Sequence, residues 1–332
     1  MSDDDLTFPL TCVRLRFDCE AITIINLGGL NAGSNLRGAL LNVMNRAVCA
    51  LSAFTPQERL KIDPQHVDTC PVCWLLLHEK QPGQVRRGYA LVPPLDSATL
   101  LPSGERFSFC ITLFGETQRY LAYFVLAVSE MGRIGVGSGR GRFRLRSVTA
   151  ELPNQSDWVV LKDSDHVIRP PEQPVTHRDL RRKADIDLDV SSPEILTFRF
   201  YFRTPLRLIV NKHLLQVTPS FVTLFSHLLK RLDELAFSFA GGYQRSFESR
   251  NHLRCLAQAV QMGKHHTHWV EVASGSQRLG RKTWISGLLG WADYSAPAEV
   301  WHELLPWLLW GELAQVGKDV VKGDGVFKFV LL

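Results

Sequence analysis

The stretch "GRGRFRL", Gly139 to Leu145, returns 184 positions later as "GDGVFKF", Gly323 to Phe329. Each copy is a Gly-x-Gly pair followed by alternating apolar residues, Phe143 and Leu145 in the first, Phe327 and Phe329 in the second. A period of two puts those side chains on one face of a strand, and glycine ahead of it permits the positive φ of a tight entry turn. Ser34 and Thr218, each ahead of a helical apolar pattern, are separated by the same 184 positions. Self-similarity at a fixed offset implies one structural unit used twice.

Working outward, Val13, Leu15 and Phe17 alternate with Arg14 and Arg16 as a strand, and Ser34 then stands as N-cap of a helix carrying Leu36, Leu40, Met44, Ala47 and Leu51 at helical spacing. A weak apolar stretch at Tyr89 to Val92 supplies a second strand and Phe107 to Leu113 a third. Gln118 to Met131 follows as a helix, and Phe143 with Leu145 closes the unit. In the second half, Leu196, Phe198, Phe200 and Phe202 alternate as a strand, and Thr218 caps a helix with Pro219 in its first turn. Strands are expected near Trp269 to Val272 and Lys282 to Ile285, a Trp/Leu-rich helix from Ala298 to about Ala314, and a last strand at Phe327 and Phe329. The order β-α-β-β-α-β, twice, predicts an α+β fold of tandem ferredoxin-like (RRM-like) units. Their expected extents are 1–150 and 194–332. Between them 151–193, with Pro153, Pro170, Pro171, Pro174 and a charged run from Arg178 to Asp189, reads as a connector.

A hydrophobic content of 45% in 332 residues excludes a disordered polymer, and a net charge of +5 is too small for the whole surface to attract a polyanion. Local clusters must do so. Arg133, Arg140, Arg142, Arg144 and Arg146 fall within fourteen residues that hold no acid. Seven cysteines without a regular lattice suit a reducing compartment, and neither a signal peptide nor an eighteen-residue apolar run is present. A soluble, cytoplasmic protein without a membrane partner is expected.

The glycine turns offer bare N–H groups to an anion with arginines alongside, although a tight turn with solvated arginines has the same composition. Because the glycines precede a strand rather than opening a helix, a dinucleotide cofactor is not indicated. Tyr201 and Phe143 are candidates for stacking on bases. "KHHTHW", Lys264 to Trp269, would place His266 and His268 on one strand face with Lys264 on the same side, a set able to act as acid, base and cation; a divalent-metal site or a plain solvated strand uses the same residues. Cys49, Cys70, Cys73 and His78 have the composition of a structural Cys₃His zinc site, with buried free thiols as the alternative. His227, on an apolar helix, reads as a structural histidine.

"VGKDVVKGDGVFKF" (Val316 to Phe329), "NLRGALLNVMNRAVCA" followed by "CPVC", and "SGSQRLGRKTWISGLLG" (Ser274 to Gly290) resemble the CRISPR-associated endoribonucleases of the RAMP (repeat-associated mysterious protein) superfamily, which process precursor CRISPR RNA. The resemblance implies tandem ferredoxin-like folds with a glycine-rich loop near the carboxyl end. It also implies metal-independent cleavage of a CRISPR repeat, in which a ribose 2′-OH attacks the adjacent phosphate and leaves a 2′,3′-cyclic phosphate, with the guide RNA retained. His266 and His268 would be catalytic. Arg37, Arg140, Arg142, Lys264, Lys282, Lys318 and Lys322 would contact phosphates, with Gly323 and Gly325 at the loop. One branch of the family often carries histidine where this chain has Asn42 and Gln315, and an amide does not titrate near neutrality. The alternative is therefore a catalytically inactive guide-RNA-binding subunit that joins other effector subunits.

Overall fold

The computed structural model describes residues 8–49, 64–77, 87–163, 165, 167–188, 194–276 and 281–332. The first half runs β1 (Cys12–Ala21), α1 (Ala32–Val48), α2 (Pro64–Thr69), α3 (Pro71–Leu77), β2 (Tyr89–Val92), β3 (Arg106–Phe114), α4 (Leu121–Ile134), β4 (Phe143–Glu151) and β5 (Trp158–Lys162). After α5 (His177–Asp187), the second half runs β6 (Ile195–Leu206), α6 (Phe221–Phe239), α7 (Phe247–Ala259), β7 (Gln261–Val270), β8 (Gly287–Pro297), α8 (Ala298–Ala314) and β9 (Phe327–Leu331).

Hydrogen bonding orders the first sheet β2-β3-β1-β4-β5 and the second β7-β8-β6-β9, antiparallel throughout. With β5 set aside, both read second-third-first-fourth, the order of a ferredoxin-like sheet, so the tandem fold expected from the repeat is the fold observed. The glycine elements hold equivalent places: each leads from the helix after the third strand of its unit into the fourth strand, Phe143 pairing with Ala21 and Phe327 with Phe202.

The helix caps do not follow the repeat. α1 begins at Ala32, because a 3-10 turn at Gly29–Asn31 runs directly into it and leaves Ser34 inside the first turn. α6 begins after Ser220, and the Thr218 hydroxyl instead shares a hydrogen bond with that of Thr267 at 2.7 Å. The middle strands of the second unit also differ from expectation. The second, β7, extends from Gln261, and the third is β8, whereas Arg281–Trp284 pairs with Ala273–Ser276 as a separate small ladder. β8 contains Gly287, Gly290, Ala292 and Ala296 and no β-branched residue. Its place between β7 and β6 supplies ladder bonds on both edges, which override a weak propensity. β7 is polar because it is an edge strand with most of its residues exposed. The segment 151–193 carries β5 and α5, and α5 starts with a capping box in which Thr176 and Asp179 satisfy each other's backbone N–H.

One hydrophobic cluster passes through both halves. Phe8, ahead of β1, packs edge-on against Trp307 of α8 at 5.1 Å and Trp310 at 5.9 Å. α8 is buried around most of its circumference, as expected of a helix set between a sheet and other helices. The Trp310 Nε1–H donates to His177 Nδ1 at 3.1 Å, and burial pushes the His177 imidazole down to about 4. No helix among the described residues is long and apolar enough to cross a membrane.

The seam between the halves rests on α1 and the loop before β9. A Cβ on Gly33 would lie 2.0 Å from the Lys322 carbonyl oxygen, and one on Gly323 would lie 2.8 Å from Pro93 Cδ. The loop turns through Asp319, Gly323 and Gly325, all at positive φ. Asp324 lies between the two glycines, buried, with Oδ2 lacking a hydrogen-bond partner. Burial, and then the Asp319 carboxylate, raise its pKa to about 8 against the opposing pull of Arg207 and Lys322.

Two predictions come from the seam. Gly33→Ala should cost about 1–3 kcal/mol by overpacking against backbone that cannot rotate away. Gly38→Ala on the same helix, with no atom within 4 Å of the new Cβ, should instead stabilise by about 0.5–1 kcal/mol through helix propensity. Paired thermal melts check the sign, and equal shifts would contradict the close approach. Asp324, with its folded pKa raised, keeps a proton that the unfolded chain releases, so stability falls as pH rises from about 4 to about 8 and is level above. Asp324→Asn should abolish that fall and melt higher than the parent near pH 8.5. Melting curves across that range that run parallel for the two proteins would refute it.

Candidate functional site

The two glycine elements converge on the lead-in to α1. In the first, Val136 and Gly141 exchange backbone hydrogen bonds of 2.8 and 3.0 Å. The Cβ position of Gly137 falls 1.9 Å from the Asn26 carbonyl oxygen, which also accepts from the Ser138 N–H at 3.2 Å. This loop therefore docks just upstream of α1, and the second docks on the first turn of α1 through Gly33 and Lys322. The two loops belong to different units yet meet the same short run of chain.

Their backbone amides do not await an anion in the second copy. Gly323 N–H donates to the Val320 carbonyl at 3.1 Å and Gly325 N–H to the Pro205 carbonyl at 3.0 Å, and both glycines are buried. Here glycine serves close packing rather than anion contact. Charge at this place comes from side chains: Arg140, Arg142 and Lys318 are exposed and form no ion pair among the described residues. Lys322 is paired with Asp319 at 2.9 Å. Arg37 stands one turn beyond Gly33, and its Nε is buried without a hydrogen-bond partner, as are Asn31 Oδ1 and Gln315 Oε1. Orphaned buried polar atoms are scarce in folded proteins, and here several gather at one seam.

Asn42 is exposed on α1, whereas Gln315 is fully buried at φ 61° with its Nε2 donating to the Leu91 carbonyl at 2.7 Å. Gln315 thus holds backbone, and the two amides are not gathered into one open site.

The loop also joins the helix-free faces of the sheets. Val326, the residue immediately before Phe327 opens β9, packs with Val92 and Cys110 of the first sheet. On the second sheet, Phe198, Phe200 and Phe202 face the helices, so Arg199, Tyr201 and Arg203 face the opposite way. Across that outer face, His266, Trp291, Tyr201 and Lys328 are register partners in one row. Arg199 lies 3.9 Å over the Trp291 ring and is held by both oxygens of Asp293 at 2.7 and 2.9 Å. His266 and His268 share this face, ring centroids 6.4 Å apart. A register shift between Met262 and His265 interrupts the alternation at Lys264, so the parity that placed Lys264 beside them does not reach it. Lys282 lies on the Arg281–Trp284 ladder, outside both main sheets.

Phe143 is not a stacking platform: it is buried and packs edge-on against Phe107 at 5.5 Å. Tyr201 remains partly exposed, and Trp291 joins it. Sequence reading overlooked Trp291 because the strand that carries it was itself unrecognised; its only signal was an aromatic between small residues in "GLLGWADYSAP". His227 is structural, both ring nitrogens lying within 3.0 Å of the carbonyls of Thr223 and Ile209.

Among the described residues, the three cysteines gather with His66. Cys49 Sγ is 3.6 Å from Cys73 Sγ and 3.7 Å from His66 Nε2, and Cys70 completes the group. His78 lies outside the described residues. The missed signal was His66-x₃-Cys70-x₂-Cys73, in which one helical turn separates the first two.

Two family models match the chain: the AF_1859_N N-terminal domain over residues 8–173, and CRISPR-associated endoribonuclease Cas6 over residues 200–327. No curated protein sequence matches. Among solved structures, a Cas6 (TTHB231) product complex covers 96% of this chain and 99% of its own at 13% identity and a TM-score of 0.55. Thermus thermophilus Cas6 (TTHB231) covers 97% and 99% at 12% identity and a TM-score of 0.52. A partial Cas6-RT-Cas1–Cas2 complex covers 97% of this chain and 46% of that longer one, at 11% identity and a TM-score of 0.61. These structural likenesses carry the tandem fold across the whole chain, and the family model places its second unit, residues 200–327, in the CRISPR-associated endoribonuclease Cas6 family.

Proposed function

We propose that this chain binds CRISPR repeat RNA, cuts it once without a metal ion, and keeps the product. The RNA backbone passes the seam at the start of α1, where Arg37, Arg140, Arg142 and Lys318 meet phosphates, and single-stranded bases lie along the outer face of the second sheet on Tyr201 and Trp291. A ribose 2′-OH loses its proton to one imidazole of the His266 and His268 pair and attacks the adjacent phosphorus. The bond from phosphorus to the 5′-oxygen breaks, the other imidazole protonates that oxygen, and a 2′,3′-cyclic phosphate remains. The observation that carries this reading is the pair itself. Centroids 6.4 Å apart let each ring reach a different oxygen of one phosphate, since a hydrogen bond spans about 3 Å. Both rings stand on an exposed strand in line with an aromatic and cationic row. Lys328, already paired with Glu312 at 2.8 Å, orients the end of that row.

A second reading has its own observation. Asn42 is an exposed amide on α1 and Gln315 is spent on the Leu91 carbonyl, so neither position supplies a titrating group. On this reading the chain holds a guide RNA inside a larger assembly and does not cut.

End-labelled repeat RNA incubated with the protein in EDTA separates the two. The first reading expects one cut, abolished by a single 2′-deoxy substitution at the cleaved position. His266→Ala with His268→Ala should then slow cleavage by about 100-fold or more with RNA affinity kept. Tight binding without any cut selects the second. Arg140→Ala with Lys318→Ala should weaken binding of all sequences alike and flatten the plot of log affinity against log salt by about 1.4, roughly 0.7 for each lost contact to a single strand. An unaltered slope would remove the seam from the RNA path.

A further inference from the structure

Three short pieces of chain meet at the far end of α1. Cys49 is the residue immediately after that helix, His66 lies in α2, and Cys70 and Cys73 bracket the start of α3. Their Sγ and Nε2 atoms all lie within 4.8 Å of one another, with Cys49 at 3.6 Å from Cys73 and 3.7 Å from His66. Tetrahedral zinc, with bonds of about 2.3 Å to sulfur and 2.0–2.1 Å to nitrogen, requires ligand-to-ligand edges of about 3.5–3.8 Å. Those two edges fit and the remaining ones lie within about 1 Å of that range, and a sulfur separation of 3.6 Å is far beyond a disulfide bond of about 2.05 Å. We infer that Cys49, His66, Cys70 and Cys73 form a closed Cys₃His site for one zinc ion.

Buried thiols with only a packing role need not converge from three segments, nor aim an imidazole nitrogen at their common centre. Helices of six and seven residues, such as α2 and α3, are also too short to persist alone, and a bound metal supplies the folding free energy that their length does not. Zinc with four protein ligands has no open position, so its role is structural. The consequence reaches into the second unit. Trp74 of α3 packs edge-on against Phe239 of α6 at 5.7 Å and takes the Arg119 guanidinium over its ring at 4.7 Å. The metal therefore ties the end of α1 to a helix pair that is itself seated on the other half of the molecule. The inference is independent of the RNA reading: a protein that never cuts RNA would carry the same ion.

The test uses the full-length protein produced in zinc-supplemented medium and purified without chelator. Elemental analysis should give one zinc per chain, released when a mercurial titrates the thiols. Replacement by Co²⁺ should give the visible bands of a tetrahedral centre and a near-ultraviolet sulfur-to-metal charge-transfer band. His66→Ala and Cys73→Ser should each retain less than a tenth of the metal, whereas His78→Ala should retain all of it. If those losses accompany unfolding, His66→Cys decides the matter: it should fold, bind one Co²⁺, and raise the charge-transfer band by about one third, as expected for four thiolates against three. Folded wild-type protein that takes up neither zinc nor cobalt overturns the site. Full metal content in His66→Ala, or its loss in His78→Ala, overturns the ligand set.

Discussion

A backbone carbonyl, that of Lys322, rests where the side chain of any residue other than glycine at position 33 would begin. That contact lets α1 of the first unit lie directly on the loop that feeds β9 of the second. The same loop presents Gly323 to Pro93 on one side and Val326 to Val92 and Cys110 on the other. Five residues of chain, Lys322 to Val326, thereby set the attitude of the helices and of the two open sheet faces together. Arg14 reinforces it from the first sheet, forming an ion pair with Glu151 at 2.8 Å while donating to the Glu312 carbonyl at the end of α8, also at 2.8 Å.

Charge follows from the same economy of contacts. The excess of cations is small, so a positive surface arises only where acids are committed elsewhere. Asp293 is held by Arg199, Asp96 by Arg203, Asp233 by Arg245 and Arg250, and Glu151 by Arg14 and Arg16. Arg140 and Arg142 on the first glycine loop, Lys318 on the second, and Lys264 with its neighbouring histidines on β7 are among the exposed cations left without an ion pair among the described residues, as are Arg144, Lys212 and Arg254 elsewhere.

The fold was legible because its periods were clean. Strands with strict alternation, β1 and β6, and the doubled Gly-x-Gly before β4 and β9, placed the units and their order. β8 was not legible, since a central strand is held by ladders on both edges and can be built from glycine and alanine. The site was readable by residue type more than by role. The glycines were found, but whether a glycine admits an anion or a neighbouring backbone depends on what folds against it, and for Gly323 and Gly325 that was the protein itself. His66 was missed for the reverse reason: its relation to Cys70 is one helical turn, invisible until that short stretch is known to be helical.

α1 is best understood as a beam fixed at both ends. Its seventeen residues span about 25 Å at 1.5 Å per residue. At the start it is clamped by backbone contact between units, at the finish by the cluster of Cys49, His66, Cys70 and Cys73. Between those ends Arg37 and Asn42 project without needing to hold the helix in place. A helix restrained only at its start could rock about Gly33, and the buried Arg37 Nε, which lacks an internal partner, would then move with it. Fixing the far end converts that flexible cation into one whose position is set before any ligand arrives, so the cost of ordering it is met in folding rather than in binding. On the proposed RNA path, a structural site some four helical turns away would therefore bear on recognition at the seam, and the two glycine loops can be packed rather than open because the charge they bring is positioned by what they touch.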